Sequence, residues 1–206
     1  MKTMSNFVNT LFGFIAIMLL GVFLLPAPAN AQEQDIMAQL KKRDREIKAV
    51  LGNHESFTEA QKSELKNHIN GAIDFGEMGR DALGTHWEGL SAEQQSEFIR
   101  VFSEIVRGQS LSDLEIYRLE VDYGEIAVVG EDATVTTTTI YKEQPISVVY
   151  EMGFRDNQWW VDDIVLDEVS TTEGYARSFQ TYIRKRGFDA LMVSLNKKLD
   201  KMNAAG

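Results

Sequence analysis

Two pairs of adjacent carboxylates, Asp162-Asp163 and Asp167-Glu168, are the residues whose type and spacing bear most directly on chemistry. Neighbouring acids do general acid–base work when their surroundings drive their pKa values apart. Both pairs fall in residues 159–170, a run rich in aromatic and β-branched side chains that reads as a strand. The two-residue period of a strand sends Asp162 and Asp163 to opposite faces, so one of them meets the apolar side. A carboxylate there must be paired or hydrogen-bonded. Arg177 and Arg184, in the segment that follows, are the available partners, and an ion pair from Asp163 to one of them is expected. Asp162, Asp167 and Glu168 are expected to be solvated. No nucleophile or histidine converges with these acids, so no catalytic residue is assigned.

The three histidines, His54, His68 and His86, are far apart and none has a second ligand at i+3 or i+4, which argues against a metal site. The chain contains no G-x-S-x-G, H-E-x-x-H, G-x-G-x-x-G or Walker-type glycine loop, so it carries none of the common hydrolase, metalloprotease or nucleotide-binding signatures. It has no cysteine, which excludes a disulfide, a thiol nucleophile and a lipid anchor on cysteine. Residues 1–31 read as an export signal. Lys2 supplies the positive start, residues 11–25 the apolar run, and Ala29-Asn30-Ala31 a small-x-small processing site, with cleavage expected after Ala31. These residues contain one base and no acid, so a net charge of −10 becomes −11 for residues 32–206. That charge disfavours nucleic acid and anionic membrane surfaces and suits a basic docking partner. The remainder has the length of one domain.

The elements that must position these residues follow from periodicity. Ile36, Leu40, Ile47 and Leu51 recur at helical spacing up to Gly52-Asn53. Thr58-Glu59-Ala60-Gln61 and Ser91-Ala92-Glu93-Gln94 are capping boxes that open two further helices. Their stripes are Leu65, Ile69 and Ile73, then Phe98, Val101, Phe102 and Ile105. Phe75, Met78, Leu83 and Trp87 form another apolar set with a break at Gly84. Four strand-like runs follow at residues 114–129, 133–141, 146–155 and 159–170, joined by turn residues and hence antiparallel. In the third run Ile146, Val148, Tyr150, Met152 and Phe154 share one apolar face. Two more helical stripes close the chain, one from Tyr175 to Ile183 and one from Phe188 to Leu199, separated by Gly187. Helices, then strands, then helices make an α+β domain with a four-stranded antiparallel meander covered by helices from both ends of the chain.

Two separated motifs resemble the MlaC family of periplasmic phospholipid-binding proteins, the toluene-tolerance auxiliary components of ABC transporters. The first is Phe75…Met78…Leu83-Gly84…Trp87…Ser91-Ala92-Glu93-Gln94…Phe98…Phe102. The second is Trp160-Val161-Asp162-Asp163-Ile164-Val165…Val169-Ser170…Tyr175…Phe179…Gly187-Phe188-Asp189-Ala190-Leu191…Leu195. The motifs run from Phe75 to Leu195, and the resemblance as a whole covers residues 56–199 within a single domain at 32–206. The sequence departs from the family pattern at Glu168, where the pattern has glycine, at Ala176, where it has arginine, and near Gln109, where it often has tyrosine.

The resemblance implies a cystatin-like sheet whose helices enclose an apolar cavity, periplasmic location, and no catalysis and no cofactor beyond bound lipid. It implies a carrier of glycerophospholipid between outer and inner membranes, working with an inner-membrane ABC transporter and its substrate-binding ring and with an outer-membrane lipoprotein–porin complex. Lipid tails are then expected among Met78, Leu83, Phe102, Tyr150, Met152, Ile164, Phe179, Ile183 and Leu191. A hopanoid-associated branch of the family is an alternative for the cargo. An isomerase or dehydratase on a cone-shaped sheet, using Asp163 and Tyr150, is the alternative from another class, and an adaptor whose apolar stripes fill one another is a third.

Overall fold

The computed structural model describes residues 29–205. The export-signal reading thus lies outside the described residues, save for Ala29 to Ala31, which open α1 (Ala29–Leu51). Gly52 ends α1 in a left-handed conformation with φ of +42°, as a terminal glycine allows. Both capping boxes form. The Thr58 and Gln61 side chains each accept the other residue's backbone N–H to start α2 (Glu59–Asn70), and Ser91 and Gln94 do the same for α4 (Ala92–Gln109). Between them the apolar set at residues 75–83 makes a helix of its own, α3 (Phe75–Leu83), capped by Asp74 Oδ1, which accepts from Glu77 N–H at 3.0 Å. Gly79 lets α3 approach α4 closely, because a Cβ there would run into the side chain of Ile99 and come within 3.2 Å of Phe98.

The sheet has five strands rather than four, in the sequential order β1 (Val121–Val129), β2 (Asp132–Tyr141), β3 (Gln144–Arg155), β4 (Gln158–Leu166) and β5 (Val169–Ser170). The fifth arises because Asp167 and Glu168, read above as part of one long strand, form a two-residue turn with φ of +45° and +67°. Lys142-Glu143 and Asp156-Asn157 make turns of the same kind, with both residues at positive φ, the geometry that matches the twist of a tight hairpin. Asp167 also accepts the Ser147 N–H on Oδ1 at 3.0 Å, which ties the last turn to β3. Glu168 holds this left-handed conformation at the position where the family pattern has glycine.

The first strand starts later than the periodicity suggested. Leu114–Arg118 is a 3₁₀ helix capped by Asp113. Its three-residue turn places Leu114 and Tyr117 on one side, where both pack on Ile47, Leu51 and Leu65. Burial of that pair outweighs extension of the strand.

Two larger apolar clusters divide the interior. On the sheet side, Ile36 and Leu40 of α1 cover Ala133, Val135, Met152, Trp159 and Val161. On the helical side, α3, α4, α5 (Thr171–Arg186) and α6 (Phe188–Ala205) pack around Phe98, Phe102, Phe179 and Leu191. The C-terminal helices therefore pack mainly on α3 and α4, while the N-terminal helix covers the sheet's apolar face. The clusters meet at Ile73, which touches both. Its neighbours run beside β4 as a short parallel pairing in which Asp74 N–H donates to Val161 O at 2.8 Å and Val161 N–H donates to Ala72 O at 2.7 Å.

Candidate functional site

A β-bulge decides where the acids of β4 point. Met152 pairs with Val161, yet Glu151 pairs with Asp163, so one extra residue is accommodated at Asp162. The bulge keeps Trp159, Val161 and Ile164 on the apolar face and turns both aspartates to the other. Asp163 is buried there without an arginine. Its Oδ1 accepts from Ile164 N–H at 2.8 Å, Thr172 N–H at 2.9 Å and Thr172 Oγ1–H at 2.8 Å, and its Oδ2 accepts from the Ser170 hydroxyl. Arg177 instead meets Glu173, and Arg184 meets Thr181. The expected ion pair is thus replaced by a cap. The carboxylate closes the first turn of α5, where unpaired N–H groups and the positive end of the helix dipole hold a negative charge without a cation. With its lone pairs committed to four donors, Asp163 is poorly placed to exchange protons with a substrate.

Asp162 is engaged as well. Arg155 donates to both of its oxygens, with the Oδ2 contact at 3.0 Å, and the same guanidinium donates to Asp74 Oδ2 at 3.0 and 3.2 Å. The fork therefore ties the β3–β4 hairpin to the N-cap of α3. Burial pushes the Asp162 carboxyl up, with Arg155 pulling against it, while the bond to Asp162 raises the Arg155 guanidinium further. The contact is bidentate, with two guanidinium N–H donors facing the two carboxylate oxygens. Burial also raises the Glu77 carboxyl beside this network. Gly153 makes room, since any Cβ there would press on Arg155 and Asp162.

Beside this network a cleft of about 320 Å³ opens over the seam between the two clusters. Ile73, Phe75 and Trp160 give it an apolar lining, and Asp74, Arg107, Arg155 and Asp156 give it charge. The Arg107 guanidinium lies over the Phe75 ring at 4.6 Å.

The residues expected around lipid tails fall into two groups. Met78, Leu83, Phe102, Phe179, Ile183 and Leu191 come together in the helical cluster, and Tyr150, Met152 and Ile164 in the sheet cluster. They are packed against neighbours, with Met78 and Phe102 each 1% exposed. Phe102 stands edge-on to both Tyr175 and Phe179, with centroids 5.0 and 6.0 Å away. Tyr175 also donates to Gln109 Oε1 at 3.0 Å, which ties the start of α5 to the end of α4. Ile73, read from the sequence as the last residue of the α2 stripe, lies beyond the end of that helix and pairs with Val161 instead; Arg107 and Arg155 were not singled out from the sequence. Arg155 and Asp162 carry opposite charges across a hairpin, a signal that pattern reading can find. Arg107 has none. Among the described residues no group of histidine and acidic side chains could hold a metal ion, and no helix is long and apolar enough to cross a membrane.

These features define an α+β protein in which a meander sheet and a helical layer keep separate apolar interiors that adjoin at one cleft. The MlaC protein family model matches residues 34–197, and the chain belongs to that family. It is 19% identical, over 86% of its length and 88% of the relative's, to the intermembrane phospholipid transport system binding protein MlaC of Haemophilus influenzae. The fold is similar to that of a phospholipid-binding protein from Ralstonia solanacearum solved in complex with a phospholipid. That match has a TM-score of 0.72 and 21% identity over 82% of this chain and 99% of the other.

Proposed function

We propose that this protein is a phospholipid-binding carrier of the bacterial periplasm. The observation that carries the reading is the likeness, over 82% of this chain and 99% of the other, to a chain solved with phospholipid, joined to two apolar interiors that meet at a surface cleft. Two acyl chains of roughly 30 CH₂ groups represent more than about 20 kcal/mol of gross transfer free energy. A carrier offsets that cost only by surrounding the tails with apolar side chains. The nine residues placed above supply such side chains from both clusters, and on this reading they line a cavity that opens when the layers part at Ile73, under a cystatin-like sheet. The cargo passes between outer and inner membranes, with an inner-membrane ABC transporter and its substrate-binding ring at one end and an outer-membrane lipoprotein–porin complex at the other. The mature chain begins at Gln32.

Mass spectrometry of the protein mildly purified from its own envelope tests this. The expected result is a chain lacking residues 1–31 with one glycerophospholipid released by solvent. A hopanoid in its place would reassign the cargo, and wild-type protein free of any lipid would overturn the carrier reading.

A further inference from the structure

The cleft over the seam has an unusual charge pattern. Arg155 is answered twice, by Asp162 and by Asp74. Asp74 is further occupied by the Glu77 N–H. Among the described residues Arg107 has no ion pair and is held only by the ring of Phe75, and Asp156, at an exposed turn with φ of +51°, has none either. The cleft therefore presents one unanswered cation and one unanswered anion. The same cleft is lined by Trp160, half-buried, and by Ile73, which packs against both apolar clusters.

We propose that this cleft receives the polar headgroup of the bound lipid, and that it favours a zwitterionic phosphodiester bearing a primary amine. The inference rests on the phospholipid reading above and adds the headgroup to it. The phosphate lies against Arg107, whose planar donors match its oxygens and whose carbon stem is fixed by the stacked ring. The ammonium lies toward Asp156. Trp160 lines the same cleft and offers an indole N–H as a donor to the headgroup. Ile73 leads from the headgroup to the interior. A headgroup with a net negative charge gains the same contact with Arg107 but faces Asp156 as a like charge, so it is accepted less well.

The test uses the secreted protein, residues 32–206, incubated with vesicles of equal parts phosphatidylethanolamine and phosphatidylglycerol carrying identical acyl chains, with bound lipid then counted by mass spectrometry. Wild-type protein should take up the amine lipid in about two- to fivefold excess, the scale of one partly exposed charge pair. Asp156→Asn should abolish that excess and leave total uptake unchanged; asparagine accepts the left-handed turn, so the fold is retained. Arg107→Gln should lower uptake of both lipids about tenfold, the scale of a charge-assisted contact. An unchanged lipid ratio in Asp156→Asn, or wild-type uptake by Arg107→Gln, overturns the headgroup assignment and leaves the carrier reading standing. Wild-type protein that takes up neither lipid overturns the carrier reading itself. Inorganic phosphate is the remaining arm. It should neither bind nor displace lipid at millimolar concentration, and Arg107-dependent phosphate binding without lipid would assign the cleft to a free anion instead.

Discussion

Replacing Asp163 probes the device that joins the sheet to the C-terminal helices. The side chain is only 7% exposed and accepts from the N–H groups of Ile164 and Thr172 and from the hydroxyls of Ser170 and Thr172. Asp163→Asn keeps the shape and one carbonyl oxygen for three of these donors. Its amide can turn toward Ser170, so the main loss is the charge at the helix start. That loss amounts to about 1–2 kcal/mol. Asp163→Ala leaves buried N–H and hydroxyl donors without an acceptor and should cost about 3–5 kcal/mol. For a chain of this size each kcal/mol moves Tm by roughly 2–4 °C, so the alanine variant should melt about 6–20 °C lower and the asparagine variant about 2–8 °C lower. Thermal unfolding followed by far-UV circular dichroism gives both values. Hydrogen exchange supplies a local check, because the Thr172 amide should lose protection in the alanine variant before those of α3. Bound lipid should be unchanged in the asparagine variant. An alanine variant within about 0.5 kcal/mol of wild type would refute the cap as a structural tie. Normal stability with lost lipid in either variant would place Asp163 in a ligand site.

Ile164 is half-buried and packs against the sheet cluster. Ile164→Arg should lower lipid occupancy more than about tenfold, because a charge in the path of the tails is strongly disfavoured. Full occupancy would remove this part of the sheet from the lining. Four tyrosines should resist alkali: burial pushes Tyr117 and Tyr123 up to about 12 and raises Tyr150 and Tyr175 as well. A raised folded value means the unfolded chain loses the proton first, near pH 10. The corresponding stability is complete below about pH 10 and is lost as pH rises toward 12. Tyrosinate absorbance and circular dichroism should therefore change together in that window, and full ionisation with the fold intact would contradict the burial of these rings.

The helices were legible because their starts carry local chemistry. A capping box is satisfied by residues three apart, so Thr58 with Gln61 and Ser91 with Gln94 announce α2 and α4 whatever the rest of the chain does. Gly52, Gly84 and Gly187 marked ends for the same reason, each taking a positive φ. The strands were legible as a set, but the turn that splits the last one was not. Asp167 and Glu168 adopt left-handed conformations that the pattern of apolar residues does not encode, and their hairpin is fixed by a bond from Ser147 twenty residues earlier. The 3₁₀ helix at Leu114 escaped because its apolar residues suit a strand equally well until Ile47, Leu51 and Leu65 give them a surface to cover.

The same limit governs the site. Periodicity shows that Met78, Phe102 and Met152 are buried, yet it cannot show that the first two share a cluster which the third does not enter. It also placed Asp162 and Asp163 on opposite faces, because a bulge shifts the count by one and no local residue pattern demanded it. Once the bulge is in place its consequences run through the molecule. It frees Asp163 to cap α5 and turns Asp162 toward Arg155, and Arg155 then engages Asp74 at the head of α3. One added residue in β4 thus ties the β3–β4 hairpin, α3 and α5 together beside Ile73, the point where the two apolar interiors meet.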